Sequence, residues 1–334
     1  MYENLHCHTK TSDGDLSYKQ VLDVCANNNI SIVAFCDHDA LPDKKAMQVL
    51  ENNRSHKTKW IVGTEISSGL PKEINNGPAS DFHIVGLFLD PFNKDIIEHC
   101  KKAQQFRIQR MEKMVKNLKF LGFDITKDNC LKESGSKTVG RSSIVAVLKQ
   151  KQKNLKIIEQ LRNKMAKQAE YNKIIKEKYD EMMIRGETQY PYVLFLSNNA
   201  FIPDIFVDHL YWIDMDKSVD IIRNAGGIAI SAHWSFSKHR VNTQMIEKFF
   251  QEKRLDGGEI VFGIGIEGEE IKKDRKIMEN LIKKYNMIQT GGGDSHTKQD
   301  FEFFVQQKEL AEKTIGMTQK IIKSKNLNLD FSSL

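Results

Sequence analysis

Ser31-Ile32-Val33-Ala34-Phe35-Cys36 runs directly into Asp37-His38-Asp39. A short apolar run rich in Ile and Val reads as a buried strand, and here it ends in three ionisable side chains. Working outward, Asn4 to Thr9 reads as an earlier strand and Ser17 to Asn28 as the helix between the two. Lys44 to Asn53 is helical, and Trp60 to Ile66 and Phe82 to Leu89 are strands. A long helix from Asn93 to Leu121 stops at Gly122. The alternation is then lost until Ser218. It resumes with helix Ser218 to Ala225, strand Gly227 to Ala232, helix Thr243 to Lys253, strand Glu259 to Glu267, helix Ile271 to Tyr285 and strand Met287 to Gly291. Repeated strand–helix units argue for a parallel α/β sheet or barrel. The expected organisation is a first barrel part over 1–123, an inserted subdomain with a basic helix over 124–212, and a second barrel part with a C-terminal tail over 213–334.

Composition narrows the class. With 334 residues, 40% hydrophobic and 28% charged, the chain can bury one large core and is neither disordered nor fibrous. No stretch reaches the roughly 18 consecutive apolar residues of a membrane span, so no membrane partner is expected. Five cysteines (Cys7, Cys25, Cys36, Cys100, Cys130) form no CxxC pair, which disfavours a disulfide framework and a thiolate zinc site. The first residues lack a basic start and an apolar run. A cytoplasmic location fits both facts. The net charge of +6 is localised: Lys149 to Arg185 holds 11 Lys and Arg against 5 Asp and Glu, an excess of six.

Chemistry is concentrated where strands end. His6 and His8 are two apart in a strand, so both imidazoles face the same side, and Asp13 follows in Thr11-Ser12-Asp13-Gly14. Glu65 closes the third apolar run, His83 opens the fourth, His233 follows Ile228 to Ala232, and Gly291-Gly292-Gly293 leads to Asp294-Ser295-His296. One strand-end histidine is more often packed or solvated than a ligand. Five successive strand ends offering His, Asp or Glu are another matter, because in an α/β barrel those ends meet at one face. Imidazole and carboxylate without thiolate suit Zn, Mn or Fe, ions that activate water and neutralise charge on a phosphoryl group. Glu65 is the candidate bridge between ions.

These stretches resemble the PHP (polymerase and histidinol phosphatase) superfamily of metal-dependent phosphoesterases. The matching segments are Leu5-His6-Cys7-His8-Thr9, Ser12-Asp13-Gly14, Cys36-Asp37-His38-Asp39, Gly63-Thr64-Glu65-Ile66, His83-Ile84-Val85-Gly86, Ala232-His233, Gly265-Ile266-Glu267 and Gly293-Asp294-Ser295-His296, in the family's order. The resemblance implies a distorted (β/α)7 barrel with two or three divalent ions (Mn, Zn or Fe) at the carboxyl ends of its strands. It implies that His6, His8, Glu65 and Asp294 hold one ion and that Asp13, His38 and His296 hold a second, while His83 with Glu65 forms part of a third. His233 falls on a position that is a ligand or substrate contact, and Asp13, His38 and His233 stand as catalytic candidates. Arg141, in Gly140-Arg141-Ser142-Ser143, is placed to clamp a phosphate bidentately, but Ser143 stands where a histidine is usual. Trp234 stands where a proline is usual, and the segment from Lys149 to Trp212 is longer than in the similar small phosphatases and exonucleases.

The basic run carries Leu155, Ile158, Leu161, Met165 and Ala169 at helical spacing. It reads as a solvated helix packed on the barrel or as an electrostatic guide for RNA or DNA, with Tyr190, Tyr192, Phe195 and Phe201 available to stack bases or to pack a core. Cys7 faces away from His6 and His8 and is not expected to be a nucleophile. No GxxxxGK phosphate loop occurs. The expected activity is hydrolysis of a phosphomonoester on a nucleotide-like small molecule by a metal-bound hydroxide. The alternatives are exonucleolytic trimming of RNA or single-stranded DNA, and a non-catalytic PHP module that binds a partner.

Overall fold

The computed structural model describes residues 1–71, 73–74, 78–135, 138–264 and 268–327. It divides into two compact units, one formed by 1–103 with 211–334 and the other by 104–210. The first contains β1 (Tyr2–Cys7), α1 (Tyr18–Asn27), β2 (Ile30–Phe35), α2 (Lys44–Glu51), β3 (Lys59–Gly69) and β4 (Pro78–Leu87). Helix α3 (Lys94–Phe120) leads into the second unit, which holds α4 (Lys127–Ser134), α5 (Arg141–Lys149), α6 (Gln152–Ala169), α7 (Lys173–Arg185) and α8 (Tyr190–Leu194). The chain then returns through α9 (Met215–Asn224), β5 (Ile228–Ser231), α10 (Thr243–Gln251), β6 (Gly257–Val261), α11 (Glu269–Tyr285), β7 (Ile288–Gly291), α12 (Lys298–Gln306), α13 (Lys308–Glu312) and α14 (Met317–Lys325).

Local chemistry starts and stops these elements. Ser17 caps α1 and forms a reciprocal capping box with Gln20, while Asp43, Asp214 and Asn242 cap α2, α9 and α10 through their side chains. All six residues of β2 are buried, as the Ile- and Val-rich pattern requires. The basic run expected as one helix is two. Asn172 caps a fresh start by accepting from the amides of Ile174 and Ile175 at 3.0 and 3.2 Å, and such a cap competes with continuing the previous helix.

The seven described strands form one sheet in the order β1-β2-β3-β4-β5-β6-β7. Its pairings are parallel except at β3–β4 and β4–β5, which are antiparallel. The reversal follows from chain length. Only eight residues separate Gly69 from Pro78, whereas a parallel connection needs a crossover of roughly a dozen or more. The expectation of a distorted (β/α)7 barrel is met in part: the described strands form a parallel-rich α/β sheet that does not close. No ladder joins β7 to β1 among the described residues; the chain just past β7 meets β1 in an isolated parallel bridge between Cys7 and Ser295. Strand β6 ends at Val261 rather than at Glu267, and Gly265-Ile266-Glu267 lies outside the described residues. The segment read as a tail carries α12 to α14.

One core underlies the sheet, drawing on Leu5, Val33, Phe35, Ile84, Ile230, Phe249, Phe301 and Phe304 among others. The second unit has its own, built from Met114, Leu118, Ile144, Leu148, Met165, Leu194 and Phe195.

Candidate metal centre

Because β4 is reversed, its start lies beside the ends of its neighbours: His83 pairs with Ser67, two residues beyond Glu65 in β3. This brings an opening residue and several closing residues to the same edge. His6 in β1 and His8 just beyond it are buried on one face, while the intervening Cys7 thiol turns to the carbonyl of Ala34 at 3.2 Å. His38 bridges to Glu65 beyond β2, and His233 and Asp294 follow β5 and β7.

Among the described residues three groups of side-chain ligand atoms result, each with its atoms within 4.8 Å of one another. They are His6, His8, Glu65 and Asp294; His8, Asp13, His38 and His296; and His38, Glu65 and His83. His8 Nε2 lies 3.2 Å from His6 Nε2, 3.3 Å from Glu65 Oε2 and 3.1 Å from Asp294 Oδ1. His296 Nε2 is 3.4 Å from Asp13 Oδ1, and His83 Nδ1 is 2.7 Å from Glu65 Oε1. His233 belongs to none of the groups, but its Nε2 stands 2.8 Å from Glu65 Oε1.

Several of these atoms approach without bonding. His38 Nδ1 and Glu65 Oε2 are 3.0 Å apart, yet both are buried with no hydrogen-bond partner, as are Asp13 Oδ1, Asp294 Oδ1 and His233 Nδ1. Buried polar atoms are nearly always paired, and each orphan costs about 1–3 kcal/mol. A set of lone pairs lying side by side is what a shared cation satisfies. Charge distribution agrees. Burial opposes ionisation of Glu65, Asp13 and Asp294, yet the surrounding imidazoles hold all three well below the usual carboxylate range. Burial likewise opposes protonation of His296, but Asp13 and Asp294 outweigh it and lift the ring to about 10. For His38 burial wins over Glu65 and Asp13 and pushes it down to about 3, leaving a neutral ring with a free lone pair. The centre draws positive charge, and divalent cations meet that demand with the imidazoles unprotonated.

Glycines give the backbone room to converge. A Cβ on Gly292 would sit 2.4 Å from Asn4 Oδ1 and 2.5 Å from the His6 amide nitrogen; one on Gly14 would sit 2.5 Å from the His8 carbonyl oxygen. Non-glycine strain appears here too, since Asp39, His233 and Asp294 have φ values of 46°, 28° and 49°.

Glu259 is a residue the sequence reading missed. Only 1% exposed, it accepts from His6 Nδ1 at 2.8 Å and from the His233 amide at 2.8 Å. A carboxylate there fixes the His6 ring so that Nε2 faces the cluster. The single available signal is an acid inside a short buried strand. Asp37 is a second support: it accepts from the Thr9 amide and hydroxyl, from Ser12 Oγ and from Tyr18 OH, pinning the loop that carries His8 and Asp13.

Arg141 lies in the second unit at the start of α5, its Nη1 donating to the Leu196 carbonyl at 3.0 Å and its guanidinium 5.6 Å from the Tyr192 ring. Ser143 is buried in the same helix. Cys7 and Cys36 are buried with thiols pushed up by that burial, which removes them as nucleophiles.

The PHP domain family matches residues 4–333. The chain belongs to the PHP family. It is thereby a metal-dependent phosphoric ester hydrolase. Among similar proteins, a 5'-3' exoribonuclease of Haemophilus influenzae is 21% identical over 296 residues, 88% of this chain and 89% of that protein. A 3',5'-nucleoside bisphosphate phosphatase of Chromobacterium violaceum is 27% identical over 119 residues, 36% of this chain and 39% of that protein. Two solved structures share the PHP fold. One is a Bifidobacterium adolescentis protein whose assignment as a metal-dependent phosphoesterase is itself an inference (TM-score 0.65, 18% identity, 88% of this chain and 87% of that one). The other is an amidohydrolase of Chromobacterium violaceum with sulfate bound and no metal (TM-score 0.62, 19% identity, 89% of this chain and 88% of that one). Among the described residues no helix is long and apolar enough to cross a membrane.

Proposed function

We propose that this chain hydrolyses phosphomonoesters of a nucleotide-like substrate at a centre of two or three divalent cations. The observation that carries the reading is the convergence of unpartnered, buried lone pairs on Asp13, His38, Glu65 and Asp294. His6, His8, Glu65 and Asp294 hold one cation; Asp13, His38 and His296, with His8 at their edge, hold a second; His83 and His38 join Glu65 at a third. Cations bound there supply water activation and charge neutralisation at phosphorus. Nitrogen and oxygen donors without thiolate suit Mn, Zn or Fe.

The protein's own contribution is alignment. Glu65 joins two of the three groups, its Oε2 3.3 Å from His8 Nε2 and its Oε1 2.7 Å from His83 Nδ1. Glu259 orients His6 and the His233 backbone. His233 touches Glu65 through Nε2 and keeps Nδ1 unpartnered, which suits it to a cation or to a hydroxyl of the substrate. The bisphosphate phosphatase among the relatives supports a nucleotide substrate.

A second reading, exonucleolytic hydrolysis of RNA or single-stranded DNA, is favoured by α6. Lys153, Lys156, Lys164 and Lys167 are all exposed. At 100° per residue they fall within an arc of about 80°, away from the buried Asn154, Ile158, Met165 and Ala169. Such a stripe tracks a polyanion.

The test is metal content by mass spectrometry joined to a hydrolysis panel of nucleoside monophosphates, bisphosphates and short RNA and DNA with Mn or Zn, comparing wild type with His8→Ala. The expected outcome is at least one tightly held transition metal per chain and hydrolysis lost in the variant. Hydrolysis that survives His8→Ala, or a wild-type chain that binds no transition metal, overturns the proposal.

A further inference from the structure

A cavity of about 230 Å³ opens beside Asp294 and His296, and two phenylalanines stand in its wall. Phe236 comes three residues after His233, in the turn Trp234–Ser237, and Phe303 comes seven after His296, in α12. Phe236 and Phe303 are each 38% exposed, although Ser237 and Phe304 beside them are buried. In the turn, Trp234 and Ser237 are buried, Trp234 Nε1 donates to the Val241 carbonyl at 2.6 Å, and Ser235 Oγ and Lys238 Nζ both bind Asp274. The turn is pinned on every side except at Phe236. That ring packs 5.4 Å from His233 and 6.4 Å from Phe262 and shows its remaining face to the cavity. In α12, Phe301 and Phe304 fill the core, and the helix start is fixed to the cluster because Asp300 accepts from the amides of His296 and Thr297. Phe303 is the aromatic residue that the core leaves out.

The lining decides what the cavity suits. Beyond Asp294 and His296, which belong to the cation groups, the described lining holds the carboxylate of Asp300 and no lysine or arginine, so nothing there pairs with a phosphate dianion and a neutral group is favoured. Two exposed rings favour a flat one. The volume lies below the roughly 300–1,000 Å³ of pockets that enclose a drug-sized ligand, which suits a group of one or two rings. We infer that Phe236 and Phe303 form an aromatic platform that stacks the nucleobase of the substrate while its phosphate lies at the neighbouring cluster. The inference rests on the phosphoesterase reading for the phosphate and adds the group attached to it.

The experiment compares adenosine 5′-monophosphate with ribose 5-phosphate, which differ by the base alone, on wild type, Phe236→Ala and Phe303→Ala loaded with Mn. Saturation-transfer NMR of adenosine, which carries no phosphate, provides a readout independent of hydrolysis. The expected result is a wild-type preference for the nucleotide in kcat/KM, reduced on the order of tenfold by either substitution, with ribose 5-phosphate turnover and melting temperature unchanged and adenosine contact weakened. Equal loss on both substrates, or no change on either, overturns the stacking inference while leaving the hydrolase standing. If neither compound is hydrolysed, the phosphoesterase reading fails for these substrates. The platform is then judged by adenosine alone: contact that depends on both rings upholds it, and contact indifferent to them overturns it.

Discussion

Glu259 offers the sharpest handle on the centre, because it touches the cluster without belonging to any of the three ligand groups. In Glu259→Ala, His6 Nδ1 and the His233 amide lose their acceptors, both 2.8 Å away and both buried. Each orphaned donor costs about 1–3 kcal/mol, so roughly 2–6 kcal/mol of stability is expected to go. Freed from its partner, the His6 ring no longer holds Nε2 toward Glu65 and Asp294, which lie 3.4 and 3.5 Å away. Loss of such an orienting carboxylate lowers metal affinity about 10- to 100-fold, equivalent to ~1.4–2.8 kcal/mol. Glu259→Gln retains one acceptor oxygen and presents an NH2 to the other donor, so it should fall between wild type and alanine on both measures. Chelator-stripped proteins would be titrated with Mn by calorimetry, and their stability followed by urea unfolding. The reasoning is refuted if both variants bind Mn within about threefold of wild type while the urea midpoint falls. That outcome would reduce Glu259 to packing.

Three further outcomes follow from the geometry. Gly292→Ala places a methyl group 2.4–2.5 Å from Asn4 Oδ1 and the His6 amide, both fixed in β1, so a loss of about 2 kcal/mol or more is expected in urea unfolding, together with weaker Mn binding; a wild-type midpoint would refute it. Asp37→Asn replaces one acceptor oxygen of a carboxylate that serves four donors, and about 1.5–3 kcal/mol should be lost, with limited proteolysis newly cutting the loop over residues 9–17. Charge-neutral Gln at Lys153, Lys156, Lys164 and Lys167 should flatten the salt dependence of single-stranded RNA binding from a log–log slope near roughly −3 toward zero; an unchanged slope removes α6 as the contact.

Period two made the pairing of His6 with His8, and the turning away of Cys7, readable without coordinates. The same holds for the strand ends at Asp37-His38, Glu65, His233 and Asp294, because each is an apolar run that stops at ionisable groups. What the pattern lacks is direction. The buried run from Ile84 to Leu87 in β4 looks the same whichever way the strand runs, and only the short connection from Gly69 to Pro78 hints at the reversal that brings His83 alongside Glu65. Glu259 was hidden for a similar reason. Its meaning lies in a partner 253 residues away in sequence, and nothing local distinguishes it from any acid in a strand. The break between α6 and α7 was legible in principle, since Asn172 precedes an apolar pair at the spacing of a cap. Phe236 and Phe303 look in sequence like the buried phenylalanines around them, and only the packing of Trp234, Phe301 and Phe304 separates them.

The bridge between Cys7 and Ser295 closes a circuit of the chain on itself. His6 and His8 leave the ribosome nearly three hundred residues before Asp294 and His296, and all of residues 104–210 intervenes. The group His6, His8, Glu65 and Asp294 therefore stays open in a nascent chain until Asp294 has been added, whereas His38, Glu65 and His83 are all present before residue 104. Filling of the two groups that include Asp294 or His296 waits on both ends of the sheet, and any truncation upstream of Asp294 leaves an imidazole-rich remnant that cannot complete them.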